Sequence, residues 1–361
     1  MASGTGLVRQ LAGDAIPMIV KQEAIRRLLM GAAFFSTGGG GSLREGLEVV
    51  RNIDSIELLK AGELDAETWT ATAYLAGTVN CPPLEEIARK HPVSVQNGHE
   101  LVVSAFDNLE KMAGIEIGAL IPVELGGYNT AVSLYLAAQK NLPVLDGDLT
   151  GRSAPEIRQT SYFLGGIPPT PAAVTTIFDE KIFLQDVTDY LRFDSILRLL
   201  VENSYQFDVG VAHFPLKLKS ASPWVLHNTL SDCIRVGTLL ENKETMKAIS
   251  EAKGKVLFIG KLENEQFKIR DGFTVGEIKI KNTDGEMVLK YKNELYVAYL
   301  NGTIVSKVPE LIGIIGTDGQ PVANTQVPYN KNLIVYSLPI PDIWRSEKGG
   351  SVFSLESFEI E

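Results

Sequence analysis

From about Lys21 apolar residues recur at three- and four-residue spacing, through Glu23-Ala24-Ile25-Arg26-Arg27-Leu28-Leu29 and on to Phe35. That spacing predicts an amphipathic helix. The pattern stops at Ser36-Thr37 and four glycines, Gly38 to Gly41. Ser42 stands three residues before Glu45, which predicts a capping box and a second helix from about Leu43 to Asn52. β-Branched and aromatic residues crowd Thr68 to Ala76 and predict a strand. Asn80-Cys81-Pro82-Pro83 reads as a turn, followed by a short helix over Leu84 to Lys90. Ile117 to Val123 is an apolar run of strand length ending at Glu124, and Asn129 to Lys140 has helical spacing. Leu142 to Leu145 reads as a short buried strand ending at Asp146, and Ala154 to Phe163 as a helix. Strands alternating with helices predict an α/β N-terminal domain with a mostly parallel sheet, over residues 18–170.

The pattern changes at Ile167-Pro168-Pro169-Thr170-Pro171, a linker-like cluster. Helical spacing covers Val187 to Asn203 and Leu230 to Ala252. Beyond Lys255 the strand candidates are Val256 to Gly260, Gln266 to Ile269, Thr274 to Ile280, Glu286 to Tyr291, Glu294 to Leu300 and Thr303 to Val308. Turn residues separate them, at Glu263-Asn264-Glu265, Thr283-Asp284-Gly285 and Asn301-Gly302. This half predicts an α+β, β-rich C-terminal domain over 171–361. Residues 1–17 are Gly- and Ala-rich and weakly patterned, and read as an arm outside the fold.

Composition narrows the function classes. At 361 residues, 45% hydrophobic and 22% charged, the chain is globular and long enough for two cores. The net charge of −10 argues against nucleic acid as the main ligand and against a basic membrane-surface helix. No apolar stretch reaches the roughly 18 residues that span a bilayer. Two cysteines without CxxC spacing exclude a disulfide scaffold and a thiolate zinc site, and the four histidines form no HExxH. The start of the chain lacks a leader pattern, so the expected location is cytoplasmic. Cys81 is read either as a thiol nucleophile or as a small buried residue. Cys233, His213 and His227 are read as structural.

Three glycine-containing loops carry the candidate chemistry. Gly38, Gly39, Gly40 and Gly41 precede a helix start, where free N–H groups and positive φ suit a carboxylate or phosphate. The competing reading is a tight connection between helices. Glu124-Leu125-Gly126-Gly127-Tyr128-Asn129 places a carboxylate at a strand end and an amide at a helix start, where open α/β sheets bind ligands. Asp146-Gly147-Asp148, running on to Gly151-Arg152 and Pro155-Glu156, places two carboxylates and a guanidinium in one loop. Paired carboxylates suit acid–base work, and they also suit a hard divalent cation. Arg152 suits a substrate carboxylate or an ion pair with either Asp. Lys292-Asn293-Glu294 reads as a hairpin turn, with a reach of Asn293 and Glu294 into an interdomain cleft as the alternative.

These motifs, with Gly272-Phe273, Gly276, Asn293-Glu294 and Val308-Pro309-Glu310-Leu311-Ile312, match in order and spacing those of a known family. Over about residues 20–355 the chain resembles the S-methyl thiohydantoin desulfurase family. It departs at Asn80-Cys81-Pro82, at Leu149-Thr150 and in its shortened C-terminal end. The resemblance implies an α/β domain, a partly β second domain, and a hydrolase-like activity on a five-membered cyclic amide bearing a thioether. Water would attack the ring carbon between the two nitrogens and expel a thiol. The expected catalytic residues are Glu124, Asp146 and Asp148. The expected substrate-binding residues are Gly38 to Gly41, Asn129 and Arg152. A divalent metal on Asp146 and Asp148 is left open, since a general base alone supplies about 10²–10⁴-fold. The expected partner is a small-molecule substrate, with a homo-oligomer open. The alternative function is a non-catalytic binding or accessory subunit of a hydantoinase-type pathway.

Overall fold

The computed structural model describes residues 16–77, 84–91 and 97–358. Cys81, its turn at Asn80 to Pro83, and most of the N-terminal arm lie outside the described residues.

The strands are β1 (Met18–Lys21), β2 (Ser55–Leu59), β3 (Trp69–Ala76), β4 (Ala119–Leu120), β5 (Val144–Leu145), β6 (Gly147–Asp148), β7 (Ala172–Thr175), β8 (Lys181–Leu184), β9 (Val209–Lys217) and β10 (Leu226–His227). They continue as β11 (Lys255–Arg270), β12 (Phe273–Asn282), β13 (Gly285–Lys292), β14 (Glu294–Leu300), β15 (Thr303–Lys307), β16 (Leu311–Gly316) and β17 (Asn332–Leu338). The helices are α1 (Gln22–Phe35), α2 (Leu43–Val49), α3 (Leu84–Lys90), α4 (Gly98–Ala113), α5 (Asn129–Lys140), α6 (Ser161–Leu164), α7 (Tyr190–Asn203), α8 (Leu218–Ala221), α9 (Thr229–Glu241), α10 (Thr245–Glu251), α11 (Glu347–Val352) and α12 (Leu355–Phe358).

An eight-stranded sheet runs in the order β1-β2-β5-β4-β3-β9-β7-β8. Its centre, β2-β5-β4-β3, is parallel, and the flanking pairings are antiparallel. Helices cover its faces because the strands are apolar on both sides; β3 is buried from Thr70 to Ala76. On one face Ile25, Leu28, Leu29 and Ala32 of α1 pack with Leu101, Ala105 and Leu109 of α4 and with Val132 and Leu136 of α5. On the other, Phe193, Leu197 and Val201 of α7 meet Val174, Val209 and Val211. Helices α1 and α9 touch backbone to backbone. A Cβ on Gly31 would lie 2.0 Å from the Cys233 carbonyl oxygen, and one on Gly237 1.8 Å from that of Arg27. Cys233 is therefore buried core, as its helical position predicts.

The second sheet is seven-stranded and wholly antiparallel, in the order β15-β14-β13-β12-β11-β17-β16. Its inner face carries Ile278, Ile280, Leu289, Leu295, Ile312 and Val335. Among the described residues no helix is long and apolar enough to cross a membrane.

Some elements differ from expectation. The boundary placed at residue 170 falls inside the first sheet, which takes β7, β8 and β9 from beyond it. The proline cluster is thus a loop between layers of one domain. The turn expected at Glu263-Asn264-Glu265 is a bulge between Leu262 and Asn264 within the 16-residue β11, because β12 pairs with it on both sides of the polar step. The helix expected over Leu230 to Ala252 breaks at Lys243, whose φ of +61° cannot continue a right-handed helix. Of Ala154 to Phe163 only a short 3₁₀ turn (Ile157–Gln159) and α6 are helical. Glu156 is extended there, and the segment runs along the site described next.

Candidate active site

The tetraglycine loop connects α1 to α2 and is gripped from two sides. Gly40 O accepts from the amides of Tyr128 and Asn129 at 2.9 and 3.0 Å, and Gly38 O accepts from the Asn324 amide at 2.9 Å. Gly38, Gly40 and Gly41 have φ of +84°, +64° and +79°. A Cβ on Gly39 would stand 1.9 Å from Glu294 Oε1, and one on Gly40 2.6 Å from the Gly126 Cα. The glycines are thus required by protein that lies against them, from both domains. Ser42 gives α2 no side-chain cap, so the expected capping box does not form. Gly38, Gly40 and Gly41 nevertheless line a cavity of about 220 Å³, shared with residues of both domains.

This cavity lies beyond the C-terminal ends of β3 and β4, where Tyr74 to Gly77 and Val123-Glu124 form part of its wall. Glu124 is buried. Its Oε1 accepts from Asn129 Nδ2 at 2.8 Å; its Oε2 accepts from the Ala154 amide at 2.9 Å and lies 3.1 Å from Ser153 Oγ. Asn129 lines the cavity, with its amide already engaged. Its Oδ1 accepts from the Leu75 amide, and its Nδ2 donates to Leu75 O as well as to Glu124, so it docks α5 on β3 and fixes the carboxylate. From the second domain, Glu294 enters at the start of β14. Only 2% exposed, it lines the same cavity and sets Oε1 2.7 Å from Ser153 Oγ. Of the two readings of Lys292-Asn293-Glu294, both are realised in part: Asn293 makes the tight link at φ +56°, and Glu294 reaches the cleft.

Burial raises the pKa of Glu124, with the Asn129, Ala154 and Ser153 hydrogen bonds opposing. Burial and then the Glu124 charge push Glu294 up to about 8. Asp194, which accepts from the Ile157 amide, also lines the cavity, and burial pushes it up to about 7. Arg198 on α7 ties the domains together, donating to Gly77 O and Pro155 O on one side and Gly272 O on the other. Its guanidinium sits 4.2 Å from the Phe273 ring centre. Glu156 at the cavity edge pairs with Lys292 at 2.6 Å and is held below the usual carboxylate range, burial being outweighed by Lys292 and Arg158 together.

The Asp-Gly-Asp loop is adjacent in sequence but does not line the cavity. Asp146 caps α9, accepting from the Ser231 amide at 3.0 Å and the Ser231 hydroxyl at 2.6 Å. Asp148 folds its own loop, its Oδ1 accepting from the amides of Thr150 and Gly151 at 2.6 and 2.5 Å. Burial pushes Asp148 up to about 6, with Gly151 opposing. Neither aspartate lines the cavity of the expected catalysis: Asp146 is held by the Ser231 amide and hydroxyl, and Asp148 turns Oδ1 to its own loop amides while its Oδ2 is buried without a partner among the described residues. Arg152 is also walled off. Fully buried, it donates to Ser153 O, Thr37 Oγ1 and Leu295 O and lies 5.0 Å from the Phe353 ring centre. It pins the second domain to the glycine loop and is not placed for the expected substrate-carboxylate role. Burial lowers it to about 10, against the pull of Glu294 and Glu124. Among the described residues no three His, Cys, Asp or Glu side chains gather as a metal site, and the open divalent-metal reading of Asp146 and Asp148 gains no third ligand. His213 is buried against Phe193 and Phe214, with burial pulling it down to about 3, and His227 is exposed on Ser222 O.

Ser153, Asp194 and Arg198 were missed as site residues in the sequence. Glu294 had a signal, being an acidic residue opening an otherwise apolar strand; Ser153 had none.

A search of the curated proteins returns no match. Among solved structures, the chain is similar to the X-ray crystal structure of a protein from Chromobacterium violaceum. The TM-score is 0.75 at 19% identity, covering 94% of this chain and 96% of that one, which bears on the fold alone. Family models described as S-Me-THD-like, N-terminal domain, and S-Me-THD-like, C-terminal domain, match residues 23–186 and 188–361. Two domains, a glycine loop held between them and a cavity built from both are thus the form taken here by a chain that belongs to the S-Me-THD-like family.

Proposed function

We propose that the interdomain cavity is the active site of a hydrolase for a hydantoin- or thiohydantoin-type ring. The observation that carries this reading is the pair Glu124 and Glu294, delivered by different domains to one Ser153 hydroxyl while both line the cavity. Buried carboxyls that perturb each other are suited to general acid–base work near neutrality. A water held by Glu124 attacks the ring carbon between the two nitrogens and gives its proton to that carboxylate. The attack shifts the ring C=N pair onto that nitrogen. The new C–O bond then becomes a carbonyl as the C–S bond breaks, the hydroxyl's remaining hydrogen ends on the ring nitrogen, and the sulfur leaves as a thiol. A positioned base contributes about 10²–10⁴-fold to such a step.

The family description supports the substrate class, and the cavity's size and charge agree with it. At about 220 Å³ it is smaller than the ~300–1,000 Å³ of drug-sized sites and suits a small ring. Glu45, Glu156, Asp194 and Asp208 also line it, against the guanidinium of Arg198. That balance favours a neutral ring, or one with a cationic substituent, over a free carboxylate. The side-chain-free wall at Gly38, Gly40 and Gly41 lets a flat ring approach backbone. The test is incubation of the full chain with S-alkyl thiohydantoins and with hydantoins, following thiol and ring product. Thiol release supports the hydrolase; tight binding of the same compounds without product would replace it with the accessory-subunit reading.

A further inference from the structure

We infer that Glu294 is the proton donor of this site and that Ser153 is a buried relay joining it to Glu124; the inference rests on the hydrolase reading above. Hydrogen counting carries it. Ser153 Oγ lies 3.1 Å from Glu124 Oε2 and 2.7 Å from Glu294 Oε1. A hydroxyl has one hydrogen to donate, and an ionised carboxylate only accepts. Both contacts are hydrogen bonds only when one carboxyl carries a proton and donates it to Ser153 while Ser153 donates to the other.

The surroundings decide which one. Glu124 already accepts from Asn129 Nδ2 and the Ala154 amide, two fixed donors that stabilise its ionised form. Among the described residues Glu294 has no such donors, and its buried Oε2 has no partner. The charges acting on Glu294 are Glu124, which favours its neutral form, and Arg152 and Arg198, which favour its ionised form. Among the described residues neither guanidinium forms an ion pair with it: Arg152 donates to Thr37, Leu295 and Ser153 oxygens and keeps Nη1 without a partner, and Arg198 donates to three carbonyls and keeps Nε without one. The balance leaves Glu294 protonated to about pH 8.

Ser153 is 0% exposed and not part of the cavity wall, so it is a positioning residue that does not meet the ring. The protons balance over one turnover. Glu124 takes one of the attacking water's two hydrogens, the other ends on the ring nitrogen that receives the C=N pair, and Glu294 gives one to the leaving sulfur. Ser153 then passes its hydrogen to Glu294 while accepting that of Glu124, which restores the starting state. Gly39 belongs to the same device, because any side chain there would displace Glu294 Oε1.

The test compares the full-length wild type, Glu294→Gln, Ser153→Ala and Ser153→Thr. Infrared difference spectra of the free protein read carboxyl protonation without substrate. A protonated-carboxyl component that titrates near pH 8, above the Asp194 and Asp208 components, is expected at pH 7 and is missing from Glu294→Gln, whose amide keeps a donor toward Ser153. An unchanged spectrum in Glu294→Gln would show Glu294 ionised and overturn the assignment. Thiol-release kinetics read the relay. Ser153→Ala is expected to lose about 10²-fold in kcat at constant KM, with Ser153→Thr recovering most of it. Wild-type kcat in Ser153→Ala would overturn the relay. If no variant, wild type included, releases thiol, the hydrolase reading fails, while the infrared arm still decides the state of Glu294.

Discussion

Asp146 binds the Ser231 amide and hydroxyl at the start of α9 and touches nothing in the cavity. Asp146→Ala is therefore expected to cost about 0.5–2 kcal/mol, as the loss of a helix cap does, and to leave thiol release unchanged. Chemical denaturation and a rate assay on the same preparation check both halves. Gly39 behaves in the opposite way. A methyl group there would lie 1.9 Å from Glu294 Oε1, so Gly39→Ala is expected to lower turnover at least as far as Glu294→Gln does. A Gly39→Ala enzyme with wild-type turnover would contradict the placement of Glu294. At this scale the sequence was only partly legible. Glu124 and Asp146 each end an apolar run and Asp148 follows two residues on, and that position alone does not say which carboxylate faces space. What separates them is the set of donors around each, supplied by residues far away in the chain.

Among the elements, the join of α5 to β3 supports the site most directly. Asn129 replaces a strand partner for Leu75 and holds Glu124 with its remaining hydrogen. Asn129→Ala leaves three buried groups without that partner and is expected to destabilise the protein by about 1–3 kcal/mol. Because the Asn129 bond lowers the Glu124 pKa, its loss raises that pKa, and the acidic limb of the pH–rate profile moves to higher pH. An unmoved limb would deny Glu124 the role of base. Strand β3, helix α5 and the short β5 were readable from their residue pattern, since each buries mostly apolar residues, with Thr70, Thr72, Thr130 and Ser133 as the polar exceptions. The bulge in β11 and the break at Lys243 were not. Glu263-Asn264-Glu265 has turn composition, yet β12 holds it in register, and the end of α9 is set by one residue in the left-handed region.

At the scale of the whole molecule, the cavity exists because two domains close on one glycine loop. Leu295 donates its amide to Thr37 O at 2.9 Å, and Asn324 donates its own to Gly38 O at 2.9 Å. Pattern reading placed some elements of each domain, missing α4, β9, β16 and β17 among others, and did not reach this closure, which rests on contacts between residues hundreds of positions apart. The closure also shapes the pH dependence of stability. Glu294 and Asp194 bind their protons more tightly folded than unfolded, up to about 8 and about 7 against ordinary values of 4.5 and 3.8. Across those windows the folded state holds more protons, so their contribution to stability falls as pH rises. His213 has the opposite sense. Pulled down to about 3 from 6.5, it makes the unfolded state the better proton binder, and its contribution is lost as pH falls below 6.5. Denaturation midpoints between pH 4.5 and 8 are expected to decline less steeply in Glu294→Gln than in the wild type. An identical slope would deny Glu294 its buried proton.

On the proposed function, the chemistry belongs to the cavity between the domains and not to the Asp-Gly-Asp loop behind it. The most direct test is the kcat for thiol release from an S-methyl thiohydantoin, measured side by side for Glu124→Gln and Asp148→Asn, with folding verified for each. A loss of about 10²–10⁴-fold is expected in Glu124→Gln and a kcat close to wild type in Asp148→Asn. Full activity in Glu124→Gln together with an inactive, folded Asp148→Asn would contradict this assignment.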